Sequence, residues 1–114
     1  MEMIIAVPMV EDQLCLHFGH CEKFAFFAVD TTEKTIKEVK KLVPPPHQPG
    51  VYPQWIREQG ADLVITGGMG VRAQQLFQTA GIQVLTGAPA LTPEEVVQRF
   101  LQGTLELGSN TCDH

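Results

Sequence analysis

The chain has 114 residues, of which 44% are hydrophobic and 18% are charged, and this length and composition predict one globular domain with a hydrophobic core of its own. Its formal net charge of −5 and the absence of any lysine- and arginine-rich run argue against binding to nucleic acid or to a membrane surface. No apolar stretch is long enough to span a membrane and the N-terminus lacks the features of a signal peptide, so we expect a cytoplasmic protein whose three cysteines are reduced.

The first half of the chain predicts strands. Residues 3–7 form a short apolar run that ends at Pro8 and predicts a buried strand, whereas residues 9–23 mix polar, glycine, histidine and cysteine positions and predict mostly loop. Residues 24–29 are aromatic and apolar and predict a second strand, which a polar turn joins to a strand over residues 35–43. These two strands form a predicted hairpin, and the many lysines of its second arm are typical of an edge strand.

The second half of the chain alternates helices with strands and follows a stiff, proline-rich loop at residues 44–50. Helical spacing of apolar residues, a capping box at Thr92 and terminal glycines predict the helices, and continuous apolar runs predict the strands: helices over 53–59, 71–80 and 93–102, and strands over 62–66 and 82–85. Strands joined through helices pair in parallel, whereas a hairpin pairs antiparallel. The sequence therefore predicts an α/β fold with a mixed, roughly five-stranded sheet covered by three helices.

Five of the seven cysteine and histidine residues fall in two short clusters. His17, His20 and Cys21 form the first, and Cys112 and His114 lie in a predicted tail over residues 104–114, which follows the domain at residues 1–103. Imidazole and thiolate are ligands for soft and borderline metals, and two such clusters can each supply two ligands to one tetrahedral site. The alternative is an inert loop and an unstructured terminus. We treat all five residues as candidate metal ligands.

A glycine turn at residues 67–70 is the second candidate site. It joins a predicted strand to a helix, and a helix N-terminus presents unpaired N–H groups and a positive dipole end to an anion. Arg72 adds a positive charge that can fork onto an anion. The pattern is not a dinucleotide or P-loop motif, so Gly67, Gly68 and Gly70 indicate an anion site of another kind, or else only a tight turn with a solvated Arg72. Met69 is either a packing residue or a thioether that faces a soft metal.

Several single residues complete the set of candidates. Gly19 lets the backbone of the histidine loop approach a ligand closely, and Phe18 beside it is expected to anchor that loop in the core. His47 lies in the rigid proline loop and is either a cofactor contact or a surface histidine. Cys15 lies between two leucines and is expected to be buried.

Catalytic alternatives find little support in the sequence. It contains no carboxylate pair at a telling spacing and no nucleophile-elbow motif. Cys21 with His17 or His20 is a conceivable nucleophilic dyad, but neighbours in one short loop seldom have the geometry that a dyad requires. We therefore expect a binding protein and not an enzyme.

The elements IIAVP, HFG, DLVITGGMGVRAQ, GIQVLTG and TPEEVVQRF together resemble the dinitrogenase iron–molybdenum cofactor-binding family over residues 1–103. The pairing of HFG with GGMG-x-R carries the resemblance. It implies a ribonuclease H-like fold and binding of an iron–molybdenum or related iron–sulfur cluster without catalysis. It also implies that His17 is a cluster contact and that the glycine turn with Arg72 belongs to the same site. A nuclease by analogy with ribonuclease H would need clustered carboxylates for two metal ions, and the sequence shows no such set.

Two features depart from the commonest family pattern, namely His20-Cys21 after the HFG element and Cys112-x-His114 near the end. They resemble a stand-alone subgroup that includes the molybdenum–copper orange-protein type. The resemblance thus implies a carrier or storage protein for an iron–molybdenum, iron–sulfur or molybdenum–copper cluster. Such a carrier has protein partners in cluster assembly or delivery and is a monomer or weak homodimer. The alternative is a regulatory or interaction domain with one zinc or iron held by Cys21, Cys112 and His114.

Overall fold

The computed structural model describes residues 2–16, 18, 21–46 and 51–108. In chain order, its elements are β1 (Glu2–Val10), β2 (Gln13–Leu14), β3 (Lys23–Asp30), β4 (Thr35–Leu42), α1 (Val51–Glu58), β5 (Leu63–Ile65), α2 (Val71–Thr79), β6 (Gln83–Leu85) and α3 (Pro93–Gln102). Within these ranges, we find no helix with the length and apolar character needed to cross a membrane.

The strands form one mixed sheet in the order β4-β3-β1-β5-β6, with β2 beside β1. The pairs β4–β3, β3–β1 and β1–β2 are antiparallel, whereas β1–β5 and β5–β6 are parallel. The predicted α/β class, mixed sheet and three helices are confirmed. The sheet has six strands and not roughly five, because β1 and β2 form a hairpin that the sequence did not indicate.

The sequence prediction missed this hairpin. The strand does not end at Pro8 but continues to Val10, turns at Glu11 and Asp12 with φ angles of 50° and 64°, and returns as β2. Pro8 is tolerated within β1 because the pairing of β1 with β5 ends at Ala6, so no β5 residue needs a hydrogen bond from the nitrogen of residue 8. The Pro8 carbonyl accepts a hydrogen bond from the Cys15 N–H at 2.8 Å.

Alternating side chains place a hydrophobic core on each face of the sheet. On one face, residues of β1, β3 and β5 pack against α3; they include Ile5, Val7, Phe27, Ile65, Val96 and Leu101. On the other face, residues of the same strands pack against α1 and α2; they include Ala6, Phe24, Val64, Ile56 and Phe77. The molecule is thus a helix–sheet–helix sandwich, with two helices on one side and one on the other.

The predicted boundaries of α3 are confirmed, and the chain after it turns back. The Thr92 side chain accepts a hydrogen bond from the Glu95 N–H at 3.2 Å, and Gly103 ends the helix in the left-handed conformation. Residues 104–108 then return along the molecule, since Leu105 packs on the core and the Gly108 N–H donates to the Gly87 carbonyl at 2.7 Å. This return brings Gly108 to the loop that follows β6.

Candidate functional site

The glycine turn follows the carboxyl end of β5. It lies at the same end of the sheet as the loops after β2 and β6. The Phe18 N–H donates to the Gly68 carbonyl at 3.1 Å, and the Gly87 N–H donates to the Gly67 carbonyl at 2.9 Å. A Cβ atom on Gly67 would lie 2.7 Å from Leu16 Cδ2 and 2.9 Å from Leu16 Cα. A side chain is excluded at Gly67 because Leu16 packs directly on its backbone. The three segments form one continuous surface.

Phe18 attaches the histidine loop to the core, as the sequence predicts. It is 5% exposed. Its ring meets those of Phe24, Tyr52 and Phe77 edge to face, with centroids 5.7, 5.7 and 5.4 Å apart. Edge-to-face pairs of this kind add to the free energy of burial. Phe18 is thus held by the aromatic rings of the core and by its hydrogen bond to the glycine turn.

All four carbonyl oxygens of the glycine turn accept hydrogen bonds from within the protein. Their donors in chain order are the Gly87 N–H at 2.9 Å, the Phe18 N–H at 3.1 Å, the Gln74 side-chain Nε2 at 2.8 Å and the Gln74 N–H at 3.1 Å. The buried Thr66 hydroxyl lies 3.4 Å from the Gly68 carbonyl and gives it a second, longer contact. The negative ends of the peptide dipoles therefore point inward. This orientation favours an anion on the outer face.

Several N–H groups of the turn and of the start of α2 have no acceptor among the described residues. No described residue accepts a hydrogen bond from the backbone N–H of Gly68, Gly70, Val71, Arg72 or Ala73. These groups belong to the turn and to the first turn of α2, where N–H groups have no partner within the helix. Gly70 is the N-cap residue of α2 and supplies no side-chain cap. The turn thus leaves a set of donors at the positive end of a helix dipole.

Gly70 differs from Gly67 in what its missing side chain allows. Its φ and ψ angles are −63° and 155°, which any residue adopts, and a Cβ atom there would meet nothing within 4 Å. Neither conformation nor packing requires glycine at this position. A serine or aspartate would cap the helix and occupy its donors. Glycine instead leaves the backbone open to a ligand.

Arg72 is the positive side chain of this surface. It is exposed and forms no ion pair or hydrogen bond with any other described residue. By contrast, Lys37, Lys41 and Arg99 each pair with a glutamate. The Arg72 guanidinium is therefore exposed and unpaired within this part of the chain, and its anion-binding role stays a prediction.

Met69 is placed inside the protein. Its side chain is 0% exposed and lies among the residues packed between the sheet, α1 and α2. A thioether in that position does not reach a ligand on the outer face of the turn. The structure supports the packing role for Met69, and we leave it out of the proposed contacts.

Cys21 is half-buried, and its Sγ donates a hydrogen bond to the Phe18 carbonyl at 3.1 Å. Burial first, and then the nearby Cys15, raise the pKa of the Cys21 thiol to about 12, against a smaller lowering by a backbone hydrogen bond. The thiol is therefore protonated at neutral pH in this state, which disfavours the nucleophilic dyad. Cys15 is 3% exposed, so its predicted burial is confirmed.

The remaining candidates, His17, Gly19, His20, His47, Cys112 and His114, lie outside the described residues. Within the part of the chain that the structure describes, no group of three or more histidine, cysteine, aspartate or glutamate side chains could hold a metal ion. Gln74, Thr66 and Leu16 also contact the turn, although their sequence context does not mark them as site residues. Nothing in the local sequence separates Gln74 from Gln75 and Gln78 on the same helix.

Comparison with known proteins gives consistent matches over most of the chain. The sequence profile of the dinitrogenase iron–molybdenum cofactor family matches residues 1–103. The uncharacterized protein MJ0580 of Methanocaldococcus jannaschii is 31% identical over 107 residues, which are 91% of this chain and 90% of that protein. The crystal structure of PH0822 superposes with a TM-score of 0.84 at 30% identity and covers 92% of this chain and 94% of its own. The apo form of the orange protein from Desulfovibrio gigas superposes with a TM-score of 0.67 at 28% identity, over 95% of this chain and 94% of its own.

Proposed function

Because this chain belongs to the dinitrogenase iron–molybdenum cofactor family, we propose that it is a non-catalytic carrier or storage protein for an anionic metal–sulfur cluster. The cluster binds on the outer face of the glycine turn. The observation that carries the proposal is the polarity of that turn. Its four carbonyl oxygens accept hydrogen bonds within the protein, whereas the N–H groups of Gly68, of Gly70 and of residues 71–73 and the Arg72 side chain have no partner among the described residues. Such a surface attracts a negative ligand and repels a bare cation.

The chemistry of the turn suits cargo that must be released again. Metal–sulfur clusters with exposed sulfides are anionic, soft acceptors, and backbone N–H groups and a guanidinium bind them by many weak contacts without a covalent clamp. The cargo is of the iron–molybdenum, iron–sulfur or molybdenum–copper type. The likeness to the orange protein of Desulfovibrio gigas supports inclusion of the last of these.

Chain connectivity supports His17 and Gly19 as further contacts. Leu16 and Phe18 flank His17, and each is attached to the glycine turn, the first by its contact with Gly67 and the second by its bond to Gly68. Consecutive Cα atoms are about 3.8 Å apart, so the His17 backbone is within one residue of two segments that touch the turn. We propose that His17, Gly19, His20 and Cys21 form the second wall of the site and that His47 approaches it from the proline loop.

The return of the chain after α3 supports a role for the tail in the same site. The Gly108 N–H is bonded to the Gly87 carbonyl at 2.7 Å, and the Gly87 N–H is bonded to the Gly67 carbonyl at 2.9 Å. Cys112 is four residues beyond Gly108, a span of up to about 14 Å. We propose that Cys112 and His114 are additional soft ligands in a tail that follows a domain at residues 1–103.

The sheet order supports a finer fold assignment, which we also propose. Three antiparallel strands continue into two parallel ones, with helices on both faces, as in a ribonuclease H-like motif. We further propose that the protein is cytoplasmic, is a monomer or weak homodimer, binds no nucleic acid, and meets protein partners in cluster assembly or delivery.

The test is purification of the full chain without oxygen, followed by metal and sulfide analysis and a visible spectrum. We expect molybdenum, iron or copper together with sulfide and strong visible absorption. His17→Ala and Arg72→Ala should lower the cluster content, whereas Arg99→Ala, which removes the same charge from α3, should not. Full cluster content in both site variants would show that the site is misassigned. A colourless protein with one zinc or iron per chain and no sulfide would instead support the regulatory or interaction domain.

A further inference from the structure

The Gln74 side chain makes a contact that the first turn of a helix does not require. It lies one turn into α2, is partly buried, and its Nε2 donates to the Met69 carbonyl at 2.8 Å, while its backbone N–H donates to Gly70. The assignment of nitrogen to this contact is determined by chemistry, because a carbonyl oxygen can accept but cannot donate. Gln74 therefore closes back onto the glycine turn by two bonds, one from its side chain and one from its backbone.

Gln74 is the natural place to alter the polarity of the turn by a side-chain substitution. The Gly67, Gly68 and Gly70 carbonyls are bonded to backbone N–H groups, which substitution does not remove. The Thr66 hydroxyl is also a side-chain donor, but its contact with Gly68 is 3.4 Å long and duplicates the bond from Phe18. The bond from Gln74 to Met69 is shorter and comes from the helix whose N-terminus carries the unpaired donors.

We propose that Gln74 is a positioning and specificity-determining residue of the site, which holds the Met69 carbonyl away from the cargo so that the turn selects an anionic metal–sulfur species. This inference rests on the proposed function. A carbonyl oxygen without its donor adds a negative dipole end beside the ligand, and a carboxylate in place of the amide adds a full charge and cannot donate. Loss of the amide therefore weakens anion binding through the turn and without direct contact between Gln74 and the cargo.

The experiment measures binding of tetrathiomolybdate, a soft dianion, to the full-length chain under anaerobic conditions. Visible titration gives the affinity, and amide NMR shifts of residues 68–73 show whether the probe lies on the turn. Gln74→Met removes the donor at similar volume, and Gln74→Glu replaces it with an acceptor. Gln78→Met and Gln78→Glu are matched controls, because Gln78 is exposed one turn further along the same helix.

We expect Gln74→Met to bind about tenfold more weakly than the wild type, and Gln74→Glu more weakly still, with unchanged affinity in both Gln78 variants. Thermal unfolding separates positioning from damage to the fold. A merely structural role predicts that both Gln74 variants lose affinity in proportion to their loss of stability. A positioning role predicts that Gln74→Glu loses affinity without losing stability, because an acidic residue near a helix N-terminus does not lower stability.

Affinity losses in the two Gln74 variants that follow their losses of stability would overturn the positioning role. Wild-type affinity in Gln74→Met and Gln74→Glu would overturn the role of Gln74 and leave the carrier function standing. Equal losses in the Gln74 and Gln78 variants would also overturn it, since the effect would then belong to the helix and not to the turn. No shift of residues 68–73 in the wild-type chain would overturn the anion site itself, and with it both the proposed function and this inference.

Discussion

Substitution of Gly70 by aspartate should stabilise the protein and abolish binding of its cargo. The position is the N-cap of α2, its φ and ψ angles of −63° and 155° suit any residue, and a Cβ atom there has open space. An aspartate oxygen can accept from the N–H groups of the first helical turn, which contributes about 0.3 kcal/mol over glycine. Its charge at the helix N-terminus adds about 0.3–1 kcal/mol. We therefore expect the free energy of unfolding to rise by about 0.6–1.3 kcal/mol.

The same carboxylate occupies the donors that the cargo needs and places a negative charge against an anionic ligand. Urea unfolding of the metal-free chain measures the first effect, and a midpoint increase of about 0.5 M is expected for a domain of this size. Tetrathiomolybdate titration measures the second. Gly70→Asn is the matched control, because it caps the helix without charge and should lose less affinity. A Gly70→Asp protein that is less stable than the wild type, or that binds the dianion as tightly, would refute the description of this turn.

Three further predictions follow from the contacts around the site. Gly67→Ala should lower the free energy of unfolding by about 1–3 kcal/mol, since its Cβ would overlap the Leu16 backbone; a urea midpoint equal to that of the wild type would contradict the close packing. Phe18→Ala should lower the free energy of unfolding by about 3–5 kcal/mol, because the side chain is almost fully buried among three rings. Phe18→Leu should lower it much less. Equal losses of stability in both variants would argue against the aromatic contacts. Cys21 of the metal-free chain should react with iodoacetamide far more slowly than an exposed thiol at pH 8, because its pKa is raised to about 12. The reaction rate should increase steadily between pH 8 and 10 as thiolate forms. A pH-independent rate in that window would contradict the raised pKa.

The sequence predicted the second half of the fold closely because each element there has its own local signals. Thr92 and Gly103 delimit α3 by capping chemistry, and the continuous apolar run of β5 can only be a buried strand in a chain that alternates with helices. The β1–β2 hairpin was missed for an equally physical reason. Its turn uses Glu11 and Asp12 at positive φ without any glycine, and Pro8 signals the end of a strand unless its unpaired edge is known.

The candidate site was predicted by residue type but not by role. The two glycines Gly67 and Gly70 of the same turn differ in their surroundings. Leu16, from a distant segment, packs against Gly67, whereas Gly70 faces open space. The local sequence indicates neither of these environments. The distinction also changes how variation at the turn is interpreted: substitution of Gly67 should act through the fold, whereas substitution of Gly70 should act through binding of the proposed cargo. The helix left uncapped at Gly70 thus forgoes stability that a serine or aspartate would supply, and a position at which the protein is less stable than its own geometry permits is where a binding function is expected.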